Sequence, residues 1–221
     1  MQGTTNMPAR GGIAIWEDLA AVNPAVARTH VLLTQAAAVA PLAPAPDDAR
    51  EASTRKDGDL FLLRRAALRR FVAAVVGGAP ETVMIGRAQH GAPTLVALPG
   101  WRVSISARGD HAAFAVSTQP VGVDLERVGA PQEPAWNVLA KSERGALAAL
   151  APQARHVAFL ELWTAKEAYL KARGVGLARE PTEIAASLGG DRFSIRDGGR
   201  IVASEAMRWR RGDALVACVV L

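Results

Sequence analysis

The stretch VGVDLERVG, residues 121–129, places two acids, Asp124 and Glu126, in an otherwise apolar run. Residues two apart on a β-strand point to the same face, so the two carboxylates share one side of a strand and the aliphatic residues take the other. Two interpretations are open at this point. The acids are either solvated charges with Arg127 as a local counter-ion, or part of a site for Mg²⁺, which takes one or two carboxylates and completes its shell with other oxygen ligands.

Composition bounds the class of protein. The 221 residues are half hydrophobic and carry a net charge of +5, so the chain can bury a core, and an anionic partner is favoured. The single cysteine, Cys218, excludes a disulfide framework. We find no signal-peptide pattern and no apolar run of about 18 residues, the length that crosses a bilayer. These features predict a cytoplasmic protein that does not enter a membrane.

The order of the predicted elements favours an α+β fold, in which each half runs from helix to strands. Glycine, proline and aspartate separate five β-rich runs in the middle of the chain, which predict a sheet of four or five strands. In chain order we predict a strand at 13–16, helices at 23–40 and 59–76 with a loop at 41–58 between them, strands within 82–126, helices at 133–150 and 154–174, and three closing strands.

A second polar stretch lies on the helix predicted at 154–174. In WTAKEAYLK the residues Trp163, Glu167 and Lys171 are spaced by four, so they share one face of the helix. A surface ion pair between Glu167 and Lys171 explains part of the pattern. The two lysines, the carboxylate and the following glycines of KARGVGL also suit a site for phosphate and metal, in which lysine supplies a point charge and carboxylate a ligand or base.

Taken together, VGVDLE and WTAKEAYLKARGVGL resemble the paired motifs of the 4′-phosphopantetheinyl transferases of the single-chain Sfp type. The resemblance implies a pseudo-dimer of two similar α/β halves. Residues 1–118 would form the N-terminal half, with coenzyme A phosphate contacts, and residues 119–221 the C-terminal half, with the metal and catalytic motifs. It also implies a Mg²⁺-dependent transfer of the phosphopantetheine arm of coenzyme A to a serine of an apo carrier protein, with release of adenosine 3′,5′-bisphosphate.

The resemblance also implies roles for individual residues. Glu167 would be the general base and Lys171 the second catalytic residue, which contacts the pyrophosphate. The implied metal ligands are Asp124, Glu126 and Glu167. The implied coenzyme A-binding residues are Lys56, Arg65, Ser104, Ser106, Arg108, Asp124, Lys166 and Lys171.

Two positions depart from the family pattern. Ala107 stands in the place of a histidine, and Ala92 in the place of a basic loop residue, both of which hold coenzyme A phosphates in the family. We expect Arg108 to take over the phosphate contact of the missing histidine. Lys56, Arg65 and Arg69 are candidates to compensate for the rest. Glu143 has two interpretations, as a support for the site or as a solvated residue of a helix surface.

The resemblance implies a monomer whose partners are coenzyme A and an apo acyl carrier protein or carrier domain, with no nucleic acid and no membrane. Acyl carrier proteins are generally acidic, so the positive charge suits electrostatic steering toward them. The pathway, whether fatty acid, polyketide or non-ribosomal peptide synthesis, is open. Two alternatives are a non-catalytic homologue that binds coenzyme A or a carrier protein, and a metal-dependent nuclease, whose E-x-K motif would lie on a strand rather than on a helix.

Overall fold

The computed structural model describes residues 7–10, 12–88, 91–203 and 205–221. Helices and strands alternate in the mixed order of an α+β fold, which confirms the predicted fold class. The chain divides into two compact units, Met1–Ala88 with Pro93–Thr118, and Gln89–Ala92 with Gln119–Leu221. Within the described ranges, no helix is both long enough and apolar enough to span a membrane.

The first unit carries a five-stranded sheet beside a long helix. In chain order its elements are β1 (Met7–Arg10), β2 (Ile13–Trp16), β3 (Thr29–Gln35), α1 (Pro46–Ser53), α2 (Gly58–Val76), β4 (Ile85–Arg87), β5 (Pro93–Leu95), β6 (Arg102–Arg108) and β7 (His111–Ser117). The sheet order is β1-β2-β3-β7-β6, and β4 pairs separately with β5. Buried residues of α2 such as Leu68 and Phe71 share one core with Leu32 of β3 and Phe114 of β7.

The prediction of a helix over 23–40 is wrong. That region contains a short 3₁₀ turn at Pro24–Val26 and then β3, which pairs with β2 on one side and β7 on the other. The run from Thr29 to Leu33 is buried throughout, as expected of a central strand covered on both faces. Continuous burial removes the polar–apolar alternation by which strands are recognised, and the run therefore resembles a buried helix.

The predicted loop at 41–58 contains α1. Pro46 occupies the first turn of this helix, where its missing N–H costs nothing, and Asp47 and Asp48 follow it at the positive end of the helix dipole. Asp48 is buried and contacts two arginines of α2, Arg69 at 2.5 Å and Arg65 at 3.2 Å. These ion pairs tie α1 to α2, so the acidic and proline-rich composition that suggested a loop belongs to a helix.

The second unit is built on a six-stranded sheet. In chain order its elements are β8 (Val121–Arg127), α3 (Lys141–Ala148), α4 (Pro152–Arg173), β9 (Ile184–Gly189), β10 (Arg192–Asp197), β11 (Arg200–Ile201), β12 (Glu205–Arg211) and β13 (Ala214–Val220). The order is β11-β10-β12-β13-β8, with β9 also paired to β10. Apolar residues of α4, including Tyr169 and Leu170, pack in one core with Ile195 of β10 and Val219 of β13.

Several elements predicted between residues 82 and 174 need correction. The five runs of 82–126 are strands, but they do not form one sheet, because β4 and β5 pair with each other, β6 and β7 join the first unit, and β8 joins the second. The helix predicted at 133–150 is restricted to α3. The helix at 154–174 is confirmed as α4, and it ends at Gly174, whose φ of 67° is the left-handed conformation that glycine adopts readily.

Gly122 is the point at which α4 comes closest to β8. A Cβ atom at this position would lie 1.9 Å from the carbonyl oxygen of Ala168 and 2.4 Å from the amide nitrogen of Ala172. Both contacts are with helix backbone, which cannot rotate away as a side chain would. Glycine at this position therefore permits helix and strand to pack at the observed separation.

We expect Gly122→Ala to lower the free energy of unfolding by about 3 kcal/mol or more, since overpacking against backbone forces the helix to shift. Urea denaturation followed by circular dichroism measures the change. Gly129→Ala is the matched control, because no atom lies within 4 Å of a Cβ built there. An equal stability of the two variants would contradict the close-packing explanation.

Candidate functional site

Asp124 is the buried acid of the site. It lies on the same strand and face as Gly122, the face covered by α4, and its side chain is 3% exposed. The ammonium of Lys171 donates to Asp124 Oδ1 at 2.7 Å and to the carbonyl oxygen of Val123 at 3.2 Å. The two predicted motifs, 47 residues apart in sequence, therefore meet at this contact.

The interpretation of VGVDLERVG as a solvated face with Arg127 as its counter-ion fails. Asp124 is buried, and Arg127 pairs instead with Asp213 of the β12–β13 turn, at 2.6 Å. Glu126 is half-buried and lies opposite Leu215 of β13. Asp124 is thus held by Lys171 of α4 rather than by solvent and a local arginine.

Glu167 lies on the partly exposed side of α4. Together with Trp163 and Lys171 it is half-buried, whereas the residues between these three positions are buried. Spacing by four along a helix therefore aligns the three side chains on one face, as the motif predicts. A carboxylate with some access to solvent is suited to accept a proton from an incoming hydroxyl.

The three predicted metal ligands do not form a metal-binding group in the conformation described. Asp124 and Glu126 supply the oxygen atoms that Mg²⁺ prefers. However, among the residues that the structure describes, no three histidine, cysteine, aspartate or glutamate side chains are arranged to hold a metal ion. The carboxylate of Asp124 is engaged by the Lys171 ammonium instead. The metal assignment for Asp124, Glu126 and Glu167 therefore stays a prediction.

Lys166, which the resemblance assigns to coenzyme A, lies in a buried ion pair in the conformation described. Its side chain is fully buried, and its ammonium donates to Glu143 Oε2 at 2.6 Å and to the carbonyl oxygen of Val138 at 2.9 Å. Burial lowers the pKa of Lys166, and the hydrogen bond and charge of Glu143 oppose that shift. Contact with a coenzyme A phosphate would require this ion pair to open, so the geometry favours a structural role.

Glu143 is the centre of that buried network. Its Oε2 also accepts from the amide of Ala140, at the start of α3, and its Oε1 accepts from the amide of Ala186 in β9. One carboxylate therefore joins α3, α4 and β9, and the interpretation of Glu143 as a solvated helix residue is wrong. Sequence signals for this role are weak, because its partners are 3, 23 and 43 residues away.

Asp197 is a further polar residue that sequence reasoning missed. Its Oδ2 accepts from the hydroxyl of Tyr169, at 2.8 Å, and its carboxylate also pairs with Arg179. Burial alone would raise the pKa of Asp197, but hydrogen bonds from Tyr169 and Arg179 lower it below the usual value. This contact joins α4 to β10 and to the segment after the glycine-rich turn. No local pattern predicts it, since Asp197 ends an ordinary strand.

The coenzyme A-binding residues predicted in the first unit differ in their exposure to solvent. Ser104 and Ser106 are buried on one face of β6, whereas Arg108 at the end of that strand is exposed. Lys56 is exposed between α1 and α2. Arg65 is buried and pairs with Asp48, which places its charge in a structural ion pair and argues against a phosphate contact.

A cavity of about 260 Å³ lies within the second unit, between α4 and the strands β12 and β13. Leu215 and Ala217 of β13 line it, and these residues are the register partners of Glu126 and Asp124. An ion pair of 2.5 Å between Arg208 of β12 and Glu161 of α4 is also part of its lining. The cavity therefore lies one strand away from β8, on the face of the sheet that α4 covers, and its described lining does not include Asp124, Glu126 or Glu167.

Comparison with known proteins agrees with the two motifs. Residues 120–218 match the 4′-phosphopantetheinyl transferase superfamily. A 4′-phosphopantetheinyl transferase of Bacillus subtilis is 29% identical over 147 residues, which are 64% of this chain and 60% of the relative. The 4′-phosphopantetheinyl transferase gsp of Aneurinibacillus migulanus is 28% identical over 123 residues, 55% of this chain and 51% of the relative.

A third relative, the 4′-phosphopantetheinyl transferase Sfp of Bacillus subtilis strain 168, is 31% identical over 109 residues, 49% of this chain and 45% of the relative. The chain thus spans between 45% and 60% of the length of these curated relatives. The matches confirm the resemblance that VGVDLE and WTAKEAYLKARGVGL carry.

We expect Glu143→Gln to lower the free energy of unfolding by about 3 kcal/mol, because removing one partner of a buried ion pair leaves an uncompensated charge. Denaturant titration gives the value. Glu133→Gln is the control, since Glu133 is 71% exposed and 3.6 Å from its partner Arg155. A loss no larger than that of the control would show that Lys166 is not held by the charge of Glu143.

Proposed function

We propose that the chain transfers 4′-phosphopantetheine from coenzyme A to a serine of an apo carrier protein. The match of residues 120–218 to the 4′-phosphopantetheinyl transferase superfamily supports this proposal. The products would be the holo carrier protein and adenosine 3′,5′-bisphosphate. The observation that carries the proposal is the contact between Lys171 and Asp124, which joins the two family motifs in one site.

The proposed reaction is an attack of the serine hydroxyl oxygen on the β-phosphorus of coenzyme A. A bond forms between that oxygen and phosphorus, and the bond from phosphorus to the bridging pyrophosphate oxygen breaks. Lys171 places positive charge beside the pyrophosphate, where negative charge develops on the leaving group. Glu167 accepts the proton of the serine hydroxyl, directly or through one water molecule.

A requirement for Mg²⁺ is part of the proposal, with Asp124, Glu126 and Glu167 as the residues that would hold the ion. Bound there, the ion would neutralise pyrophosphate charge. These three side chains do not form a metal-binding group in the conformation described, so the steps above are assigned to residues of the chain alone.

For coenzyme A we propose contacts from Arg108, Lys56, Ser104 and Ser106. Arg108 is exposed and follows Ala107, the position at which the family has a histidine, so its guanidinium can reach a phosphate. Arg65 and Lys166 are held in buried ion pairs and are better explained as structural residues.

The proposed acceptor is an acyl carrier protein or a carrier domain of fatty acid, polyketide or non-ribosomal peptide synthesis, modified by the chain as a monomer. A net charge of +5 suits an acidic partner. The nuclease alternative is disfavoured, because Lys166 and Glu167 lie on α4 whereas that chemistry places its E-x-K motif on a strand.

A second candidate function is binding of coenzyme A or a carrier protein without transfer. Ala107 and Ala92 favour it, since neither can hold a phosphate as the residues of the family pattern do. The two candidates differ in one measurement, the formation of a covalent adduct on the carrier.

We expect the protein, mixed with coenzyme A, Mg²⁺ and apo carrier proteins, to give a phosphopantetheine adduct detected by intact mass. Glu167→Gln should lower kcat/KM by about 100-fold or more, the contribution of a general base. Glu81→Gln, at an exposed position of the first unit, is the control and should keep full activity. Binding of coenzyme A without any adduct would favour the non-catalytic candidate.

We expect Arg108→Ala to raise the KM for coenzyme A by about tenfold with little change in kcat, because it removes one charged hydrogen bond to the cofactor. Arg102→Ala is the control, since Arg102 is an exposed arginine at the opposite end of the same strand. Initial rates at varied coenzyme A concentration separate the two parameters. An unchanged KM would remove Arg108 from the site.

A further inference from the structure

Two lysines of α4, five residues apart, are paired with carboxylates in different ways. Lys166 is fully buried, and its partner Glu143 is held by two backbone amides as well. The side chain of Lys171 is 28% exposed, while its partner Asp124 is 3% exposed. The first pair is enclosed on both sides. In the second, the lysine side chain has partial access to solvent, and only its partner Asp124 is buried.

The ammonium of Lys171 stands at the carboxylate that a metal ion would require. Its Nζ lies 2.7 Å from Asp124 Oδ1, and a Mg²⁺ ligand oxygen lies about 2 Å from the ion. An ion bound to Asp124 would therefore lie within a few ångströms of the ammonium, where like charges repel strongly at low effective dielectric.

We propose that the Lys171 ammonium neutralises Asp124 when no ligand is bound, and that it competes with a divalent ion for that carboxylate. The inference rests on the proposed function. When the pyrophosphate of coenzyme A binds, it draws the ammonium away from Asp124, and the carboxylate becomes available to the ion. Binding of coenzyme A and binding of the metal then strengthen each other, because each favours the same position of Lys171.

Lysine suits this exchange better than arginine would. Its ammonium is a compact point charge on a flexible stem, so it can turn from a carboxylate to a phosphate. An arginine would first have to give up the two parallel hydrogen bonds that its guanidinium makes with a carboxylate. The ammonium also donates to the carbonyl oxygen of Val123 at 3.2 Å, and this neutral acceptor is one that it can exchange for water or phosphate.

The test is the affinity of the full-length protein for Mn²⁺, used in place of Mg²⁺ and measured without coenzyme A by the electron paramagnetic resonance of the unbound ion. Lys171→Met should bind Mn²⁺ about tenfold or more tightly than the wild type, because the competing charge is gone. Lys171→Arg keeps the charge and should bind like the wild type. Asp124→Asn should lose the gain when it is combined with Lys171→Met.

An affinity of Lys171→Met equal to or below that of the wild type overturns the inference. Lys171→Gln, which retains an N–H donor without the charge, gives the same comparison if the methionine variant does not fold, as judged by circular dichroism. The transfer assay decides the proposed function separately. Transfer by the wild type with no affinity gain in Lys171→Met removes the inference alone, and absence of transfer removes the proposed function whatever the Mn²⁺ affinities are.

Discussion

The close contact between α4 and β8 at Gly122 is the constraint on which the candidate site depends. The backbone of α4 occupies the space that a side chain at position 122 would need. A Cβ atom built there would lie 1.9 Å from the carbonyl oxygen of Ala168. Asp124 follows two residues later on the same face, so it stands at the same short separation from the helix. Lys171 can then reach Asp124 across the interface. A thicker layer of side chains would place the two charges too far apart to pair.

Charge burial explains why two lysines of one motif differ in role. An ammonium without access to water needs both a counter-charge and hydrogen-bond acceptors, and Lys166 has Glu143 and the Val138 carbonyl oxygen. These two partners, together with the lack of access to water, hold Lys166 in place inside the fold. Lys171, one and a half turns further along α4, keeps access to solvent. Only the second arrangement allows a charge to change partners during a reaction.

The parts of the fold that the sequence predicts are those with strong local signals. α2 and α4 have helical periodicity over many residues and end at glycines, and β8 has clean alternation. The region 23–40 was mistaken for a helix because β3 is central and buried on both faces, so its alternation is lost. α1 was missed because Asp48 is specified by arginines of α2, which the local sequence of α1 does not contain.

The same distinction applies to the candidate site. Spacing along α4 is enough to place Glu167 and Lys171 on one face, since helix geometry is local. The partners of Lys166 and Asp197 depend on packing between elements 18 to 28 residues apart, and no local rule predicts such pairs. Motif similarity assigns Lys166 and Lys171 similar roles because it compares residue types. The two lysines differ in burial, since Lys166 is fully buried and Lys171 is partly exposed.

Net charge is a poor guide to where an anion would bind in this protein, because it does not show which cationic side chains are paired with acids inside the fold. Arg65 and Arg69 form a basic pair in the sequence, yet both face Asp48 and are buried. A buried and paired guanidinium adds little to the field outside the protein, whereas an exposed one such as Arg108 acts through water and is screened by salt. A phosphate approaching the first unit would therefore respond to exposed cations such as Arg108 and Lys56 more than to the buried pair Arg65 and Arg69.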